Sequence, residues 1–376
     1  MKVAILTSGH PPTDERIFYK FGYSLKKHGF DVTIVSSTES IRKKIDEIDI
    51  SGFQGENLSK KNKVKQFLSV LIDLNPDVII CCEPLTILPA LKFRKRKREL
   101  KIISDVTEFY PHQNMLKSSN WFLKLMKLFY YNLFNIYVSN RLDLLIIGEK
   151  SKARFYYLFT PRIKKEIITY YPSKSIFNYS PPRFDGKIFT ICYSGIISVE
   201  RGFLNFIKLV QKVLKDNPAM QFRIKVIGEF QPEEKELLSK ELERLNELVN
   251  AEIIYSSSLS YPLFAKFLED VDICFDLREK TKIFNRSLPI KIFDYMACGK
   301  PVIYSKLDSL KAIPEINSFA LLTEPNDYTL MSKRIGEYLS NQEILLTHSR
   351  KARDIFLEKY NWEIIENKFI GLIESL

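Results

Sequence analysis

Cysteine and histidine are scarce in this 376-residue chain, at five and four. Cys81, Cys82, Cys192, Cys274 and Cys298 form no Cys-x-x-Cys or Cys-x-x-x-His spacing and sit in or beside apolar runs. That argues against a disulfide framework or a zinc site, and reads as reduced thiols in a cytoplasmic protein's interior. The apolar run at Met1–Thr7 is strand-length, too short for a signal-peptide core. No stretch reaches the roughly 18 uncharged residues that span a bilayer, so a soluble or at most peripheral chain is expected. Gly-x-Gly-x-x-Gly is absent, which removes the dinucleotide fingerprint. There is no repeat of about 20–50 residues and no low-complexity tract.

What is present is ample core material: 45% hydrophobic and 13% aromatic residues, at a length that suits two domains. The formal charge of +12 fits nucleic acid, anionic lipid or phosphorylated substrates. Nucleic acid is disfavoured, because no aromatic-studded sheet motif or recognition helix accompanies the charge.

Short apolar runs alternate with amphipathic segments. Predicted strands are Lys2–Leu6, Val32–Val35, Val78–Cys81, Lys101–Ser104, Leu144–Ile147 and Glu166–Thr169, with helices such as Glu15–Lys27 and Val64–Leu74 between them. Near-continuous apolar strands suit a parallel sheet covered on both faces. A Pro-, Ser- and Asn-rich stretch from Tyr171 to Gly186 reads as a linker. The pattern restarts with Phe189–Tyr193, Phe222–Ile227, Glu252–Tyr255, Ile273–Phe275, Pro301–Tyr304 and Phe319–Leu322. The expected architecture is α/β, two Rossmann-like doubly wound domains, with ligands in a cleft at the carboxyl ends of both sheets.

Three segments carry chemistry. Thr7-Ser8-Gly9-His10-Pro11-Pro12-Thr13-Asp14-Glu15-Arg16 follows the first strand, and Gly9 leaves amides exposed where an anion would suit them; a capped turn is the plainer alternative. Ser194-Gly195 through Arg201-Gly202 repeats the device before a helix over Phe203–Leu214. There Gly195 permits close approach of a ligand and Arg201 can fork onto phosphate, unless it merely pairs with Glu200 or a neighbouring surface acid. The third segment runs from Asn285 to Ile303. Pro289 suits a first helical turn and Gly299 a C-terminal cap. Ile290, Phe293 and Ala297 are the expected buried stripe, with Lys291 and Asp294 on the other face. That pair could hold a diphosphate and a ribose diol, or form an ordinary i,i+3 ion pair.

Together these segments resemble a group-1 (family 4) glycosyltransferase of the GT-B fold over essentially the whole chain. HPPTDERIFYK…SLKKHGFDVTIVS resembles the family's N-terminal unit, DVTEFYP its acceptor-side loop, YSGIISVERG its phosphate loop, KVIGE the next strand and SLPIKIFDYMACGKPVI its donor-binding helix. The resemblance implies an N-terminal acceptor-side domain over residues 1–175 and a nucleotide-sugar-binding domain over 187–355. A helix over 356–376, containing Trp362, would pack back on the first domain. It implies donor contacts from Gly9, Gly195, Arg201, Gly228, Glu229, Ser257, Lys291 and Asp294. Arg201 and Lys291 would neutralise the diphosphate in place of a metal, with no cofactor, and Asp294 would accept ribose hydroxyls. His10, Asp14, Arg16, Asp105 and Glu108 are the acceptor-side candidates, and retention of anomeric configuration follows.

Three positions depart from that pattern. Arg286 and Asp294 stand where two glutamates eight apart are common, Ile196 replaces an arginine, and Thr107 replaces a histidine for which His10 and His112 are nearby substitutes. The basic block Arg94-Lys95-Arg96-Lys97-Arg98, with the aromatic- and Leu-rich Trp121–Val138 segment bearing Lys124 and Lys127, suits an anionic membrane surface. An ordinary solvated helix end and buried helix would look the same. The expected function is sugar transfer from a nucleotide-diphosphate sugar to a glycan or lipid-linked acceptor in cell-surface polysaccharide synthesis. The alternatives are a non-catalytic homologue acting as subunit or scaffold, and a nucleotide-sugar 2-epimerase, which the scarcity of histidine disfavours.

Overall fold

The computed structural model describes all residues except Phe109, His112, 117–119 and 246–249, and the side chains of Gln113 and Asn114. His112, one of the substitute histidines, therefore lies outside the described residues.

The chain forms two compact units, Met1–Tyr170 with Ile365–Leu376, and Tyr171–Ile364. The first contains β1 (Lys2–Thr7), α1 (Tyr23–Lys27), β2 (Asp31–Ser36), β3 (Arg42–Ile45), β4 (Ile48–Gly52), α2 (Lys60–Leu74), β5 (Val78–Cys81), α3 (Pro84–Arg94), β6 (Lys101–Val106), α4 (Trp121–Ser139), β7 (Leu144–Ile147), α5 (Lys150–Phe159) and β8 (Lys164–Ile167). Its strands order as β3-β4-β2-β1-β5-β6-β7-β8, parallel except for the β3–β4 hairpin. Val78–Cys81 and Leu144–Ile147 are buried throughout, as strands covered on both faces must be. The segment expected as one helix over Glu15–Lys27 instead winds as a π-helix at Ile17–Gly22 before α1.

The second unit contains β9 (Ile188–Ser194), α6 (Phe203–Asp216), β10 (Gln221–Ile227), α7 (Lys235–Leu245), β11 (Ala251–Ser256), α8 (Tyr261–Phe267), β12 (Ile273–Asp276), α9 (Lys291–Cys298), β13 (Val302–Ser305), β14 (Ala320–Thr323), α10 (Tyr328–Ser340) and α11 (Gln342–Lys359). Its all-parallel sheet orders as β11-β10-β9-β12-β13-β14. Helix α6 buries Phe203, Phe206, Ile207, Val210 and Val213 on one face, joining the core with Phe189, Ile224 and Phe275. Helical spacing of those residues is what makes the face continuous.

The stretch from Tyr171 to Gly186, expected as a linker, is instead packed into the second unit. Phe177 is fully buried against Tyr261 and Phe264. The Asp272 carboxylate accepts from the amides of Arg183, Phe184 and Thr190 at 2.8, 3.1 and 2.7 Å. Burial pushes that carboxyl up to about 6, against those amide bonds. Lys300 donates to the carbonyls of Ser180, Glu269 and Val271. Buried aromatics and a satisfied buried carboxylate outweigh the loop-like composition here.

The chain ends in α12 (Trp362–Glu374). From Ile365 onward it belongs to the first unit, where Phe369 stacks on Phe21 with centroids 4.4 Å apart and Lys27 meets Glu366 at 2.9 Å.

Candidate functional site

In the second unit the carboxyl ends of β9, β10 and β11 are laced together. The Gly195 amide donates to Ile227 O at 2.9 Å and the Gly228 amide to Ser256 O at 3.0 Å. Gly228 has φ +150°, and a Cβ there would lie 1.7 Å from Gly195 O. Only glycine fits such a contact. Glu229 is exposed and accepts the Ile197 amide through its carbonyl at 2.8 Å, and Ser257 is exposed just beyond β11.

Lys291 opens α9 and lies along the Gly195 backbone. A Cβ on Gly195 would stand 3.4 Å from Lys291 Cε. The ammonium sits 4.5 Å from the Phe264 ring centroid, and among the described residues no acid pairs with it.

Arg201 likewise forms no salt bridge among the described residues. Its guanidinium and that of Arg278 both lie 5.1 Å from the Phe284 ring centroid. Arg278 is tied to Asp276, with Nε to Oδ1 at 2.7 Å, and Asp276 also accepts from Tyr304. Asp276, committed to Arg278, acts on Arg201 only from a distance. Burial, then the neighbouring Arg278, lowers the Arg201 pKa. The plainer expectation of an Arg201–Glu200 pair is not met. Two cations with no salt bridge among the described residues, Lys291 along the Gly195 backbone and Arg201 at the end of the same loop, leave electrostatic demand for an anion.

Asp294 departs from its expected position. It is 2% exposed and accepts from Tyr261 Oη at 3.2 Å. The expected split between a buried stripe and an open Lys291–Asp294 face fails, because α9 is buried from Ile292 through Cys298. Tyr295 bonds Ser194 at 2.6 Å, Phe293 packs on Tyr171 and Tyr360, and α11 covers the helix behind Gly299, where Ser349 donates to its carbonyl at 2.6 Å. Gly299 takes the left-handed cap, with φ +69°. Arg286 and Ile196 are exposed.

In the first unit a cavity of about 530 Å³ opens at the ends of β1, β5 and β6, lined among others by His10, Glu83, Asp105 and Glu108. Tyr110, Tyr130, Tyr131 and Phe134 form an aromatic wall, and Lys60, Lys61 and Lys92 also line it.

The loop after β1 already holds an anion, supplied by Glu83 at the start of α3. Its carboxylate accepts from Thr7 Oγ1 and the Ser8 amide at 2.8 Å, and from the Gly9 amide at 3.2 Å. The amides expected for a ligand diphosphate at Gly9 are thus engaged within the protein. Glu83 was not singled out in the sequence. Its position as the residue before Pro84, at the end of the apolar strand β5, was the available signal.

The remaining acceptor-side candidates divide in two. His10 Nδ1 lies 3.4 Å from Asp14 and Nε2 3.9 Å from Glu83. The Asp14 bond, opposed by burial, raises the imidazole to about 9. Arg16 is buried instead in a two-point bridge to Asp105 at 2.6 and 2.7 Å, with a further bond to Ile168 O at 3.1 Å. The guanidinium lies 4.5 and 4.2 Å from the ring centroids of Phe21 and Tyr170. Of the acceptor-side candidates, Arg16 and Asp105 thus satisfy each other. Glu108 is exposed, and the Thr107 carbonyl receives the Lys152 ammonium.

Two parallel α/β units with a C-terminal helix returning to the first define the GT-B fold. The comparisons agree. The sucrose-phosphate synthase of Thermosynechococcus elongatus superposes with TM-score 0.71 at 13% identity, covering 100% of this chain and 98% of that one. Anabaena HepE in complex with UDP-glucose gives 0.70 at 13%, covering 100% of both chains. A trehalose-6-phosphate structure from E. coli, bound with UDP-2-fluoro glucose, gives 0.68 at 11%, covering 100% and 99%. No curated protein matches the chain significantly. Residues 188–341 match the family model of glycosyl transferases group 1, so the second unit carries the group 1 glycosyltransferase domain.

Proposed function

We propose that the protein transfers a sugar, with retention, from a nucleotide-diphosphate sugar to a glycan or lipid-linked acceptor in cell-surface polysaccharide synthesis, at the inner face of the membrane. The observation that carries the donor half is the pair Arg201 and Lys291, cations without acid partners beside the Gly195 loop. A diphosphate supplies the missing negative charge. As the bond from the sugar's anomeric carbon to phosphate breaks, Lys291 and Arg201 stabilise the charge that develops on the leaving oxygen. The acceptor oxygen bonds to the anomeric carbon on the same face, and its proton passes to the departing phosphate. Gly228, Glu229 and Ser257 line the same strand ends and are assigned to the nucleoside. Asp294 is assigned to holding Tyr261 behind Lys291 rather than to the ribose.

The first-unit cavity, with its aromatic wall and lysines, is assigned to the acceptor, since aromatic faces suit sugar rings or apolar chains and lysines suit phosphate. His10, held charged by Asp14, can donate a hydrogen bond to it. HepE and the E. coli protein carry UDP-sugars in their structures, which supports a nucleotide-sugar donor here. A non-catalytic role is favoured by Arg286 and Thr107 alone. Incubating the purified full chain with a panel of nucleotide sugars and a lipid-linked acceptor separates the two readings. Transfer or donor hydrolysis is expected; no binding and no turnover with any donor overturns the enzyme reading.

A further inference from the structure

Helix α4 exposes its apolar side chains instead of burying them. Trp121 is 71% exposed, Phe129 68% and Phe122 56%, and Leu125, Met126 and Tyr130 are more than half exposed. Only near the C-terminal end, at Asn135, Val138 and Ser139, is the helix buried. A single exposed Leu is unremarkable, but a contiguous patch of this kind marks an interaction surface. The patch continues onto the end of α5, where Tyr157, Leu158 and Phe159 are exposed and Asn140 ties the two ends together through Phe159 O at 2.9 Å.

Its charge says what covers it. Residues 109 to 142 contain no Asp or Glu, while Lys117, Lys124, Lys127 and Arg141 fall within them. At the C-terminal end of α4, Arg141 lies over the Tyr137 ring, 3.6 Å from its centroid. There Arg94 binds the Arg141 carbonyl and Asp143, which brings up the exposed Lys95, Arg96 and Arg98. No described helix is long and apolar enough to cross a membrane, and Lys124 and Lys127 interrupt α4 itself. An aromatic- and Leu-rich helix with lysines and no acids lies in the plane of the headgroup layer.

We infer that α4, with the end of α5, docks the protein on an anionic lipid bilayer, Trp121 and Phe129 entering the acyl boundary and the lysines and arginines facing acidic headgroups. This deepens the proposed membrane-side acceptor by naming the surface that brings the protein to it.

The chain's tryptophans make the test specific. Trp362 is buried at 2%, so a change in emission on membrane binding reports Trp121. The full chain is mixed with vesicles of phosphatidylcholine alone or with phosphatidylglycerol. The expected result is a blue shift and co-flotation with the anionic vesicles, weakened about fivefold by Lys124→Ala and strongly by Phe129→Ser, with the shift lost in Trp121→Phe. All three changes are on exposed side chains, and circular dichroism checks that the variants stay folded.

No flotation with anionic vesicles, or a shift that persists in Trp121→Phe, overturns the inference. So does concentration-dependent self-association abolished by Phe129→Ser without vesicle binding, which would make a second copy the occupant. Nucleotide binding is measured on the same samples without vesicles. Its loss alone counts against the transferase reading, and loss of flotation alone counts against docking.

Discussion

The carboxylate of Glu83 accepts the amide of Gly9 at 3.2 Å, and with it the Ser8 amide and the Thr7 hydroxyl at 2.8 Å. A side chain 76 residues downstream of Thr7 therefore fills the anion site that the loop after β1 creates. Burial pushes the Glu83 carboxyl upward, against these bonds, yet it remains the acceptor that shapes the loop. Glu83→Ala should cost about 1–3 kcal/mol, because its partners lose their acceptor. Chemical denaturation measures this, and Glu83→Gln should cost less, since the amide oxygen can still accept.

His10 provides a pH signature. Its pKa is raised from 6.5 to about 9, the Asp14 hydrogen bond outweighing burial. For a raised histidine the stabilisation is fully present below 6.5 and is lost as pH rises through about 9. Asp14 is lowered, the His10 bond and the Arg16 and Ile17 amides overcoming burial, so its contribution is lost only as acid takes pH below the ordinary aspartate value of 3.8. An NMR titration should find one imidazole titrating near 9, absent in His10→Gln and brought down toward 6.5 by Asp14→Asn. A wild-type His10 titrating near 6.5 would contradict the geometry.

Arg16 and Asp105 should behave as a buried structural pair. Asp105→Asn leaves a buried guanidinium without its counter-charge and should cost about 3–5 kcal/mol. The double variant Arg16→Met with Asp105→Leu should be less destabilised than that single change. If Asp105→Asn leaves the melting temperature unchanged, the pair is not structural.

Glycine positions make a paired prediction. Gly228→Ala puts a Cβ 1.7 Å from Gly195 O at φ +150°, and should cost about 1–3 kcal/mol from the backbone alone, with more from the collision. Gly336 lies within α10, where an added Cβ meets nothing within 4 Å. Gly336→Ala should stabilise by about 0.5–1 kcal/mol. Thermal melts of the two variants check both signs.

Much of the fold was legible because covered parallel strands read as apolar runs, Val78–Cys81 and Leu144–Ile147 matching β5 and β7 to the residue. β3, with sequence RKKI, was missed because an exposed edge strand carries no such signal. β8 lies two residues before its expected start, its polar Lys164 and Lys165 masking it. The Tyr171–Gly186 stretch misled because local Pro and Ser content says nothing of where Phe177 packs. In the second unit, the loop glycine Gly195 and the cations Arg201 and Lys291 stood out from loop-and-helix spacing, whereas Gly228 came only with the family resemblance. The burial of Asp294 was not legible, because its hydrogen-bond partner Tyr261 lies on a separate helix, α8.

The most direct measurement of the central claim is the affinity of the full chain for nucleoside diphosphates by calorimetry, with Lys291→Ala and Arg201→Ala beside the wild type. Loss of one charge-assisted contact, about 1.5–3 kcal/mol, should weaken binding roughly 10- to 150-fold in each variant while the melting temperature holds. Unchanged affinity in both variants, or no binding of any nucleoside diphosphate by the wild type, would contradict the placement of the donor diphosphate between these two cations.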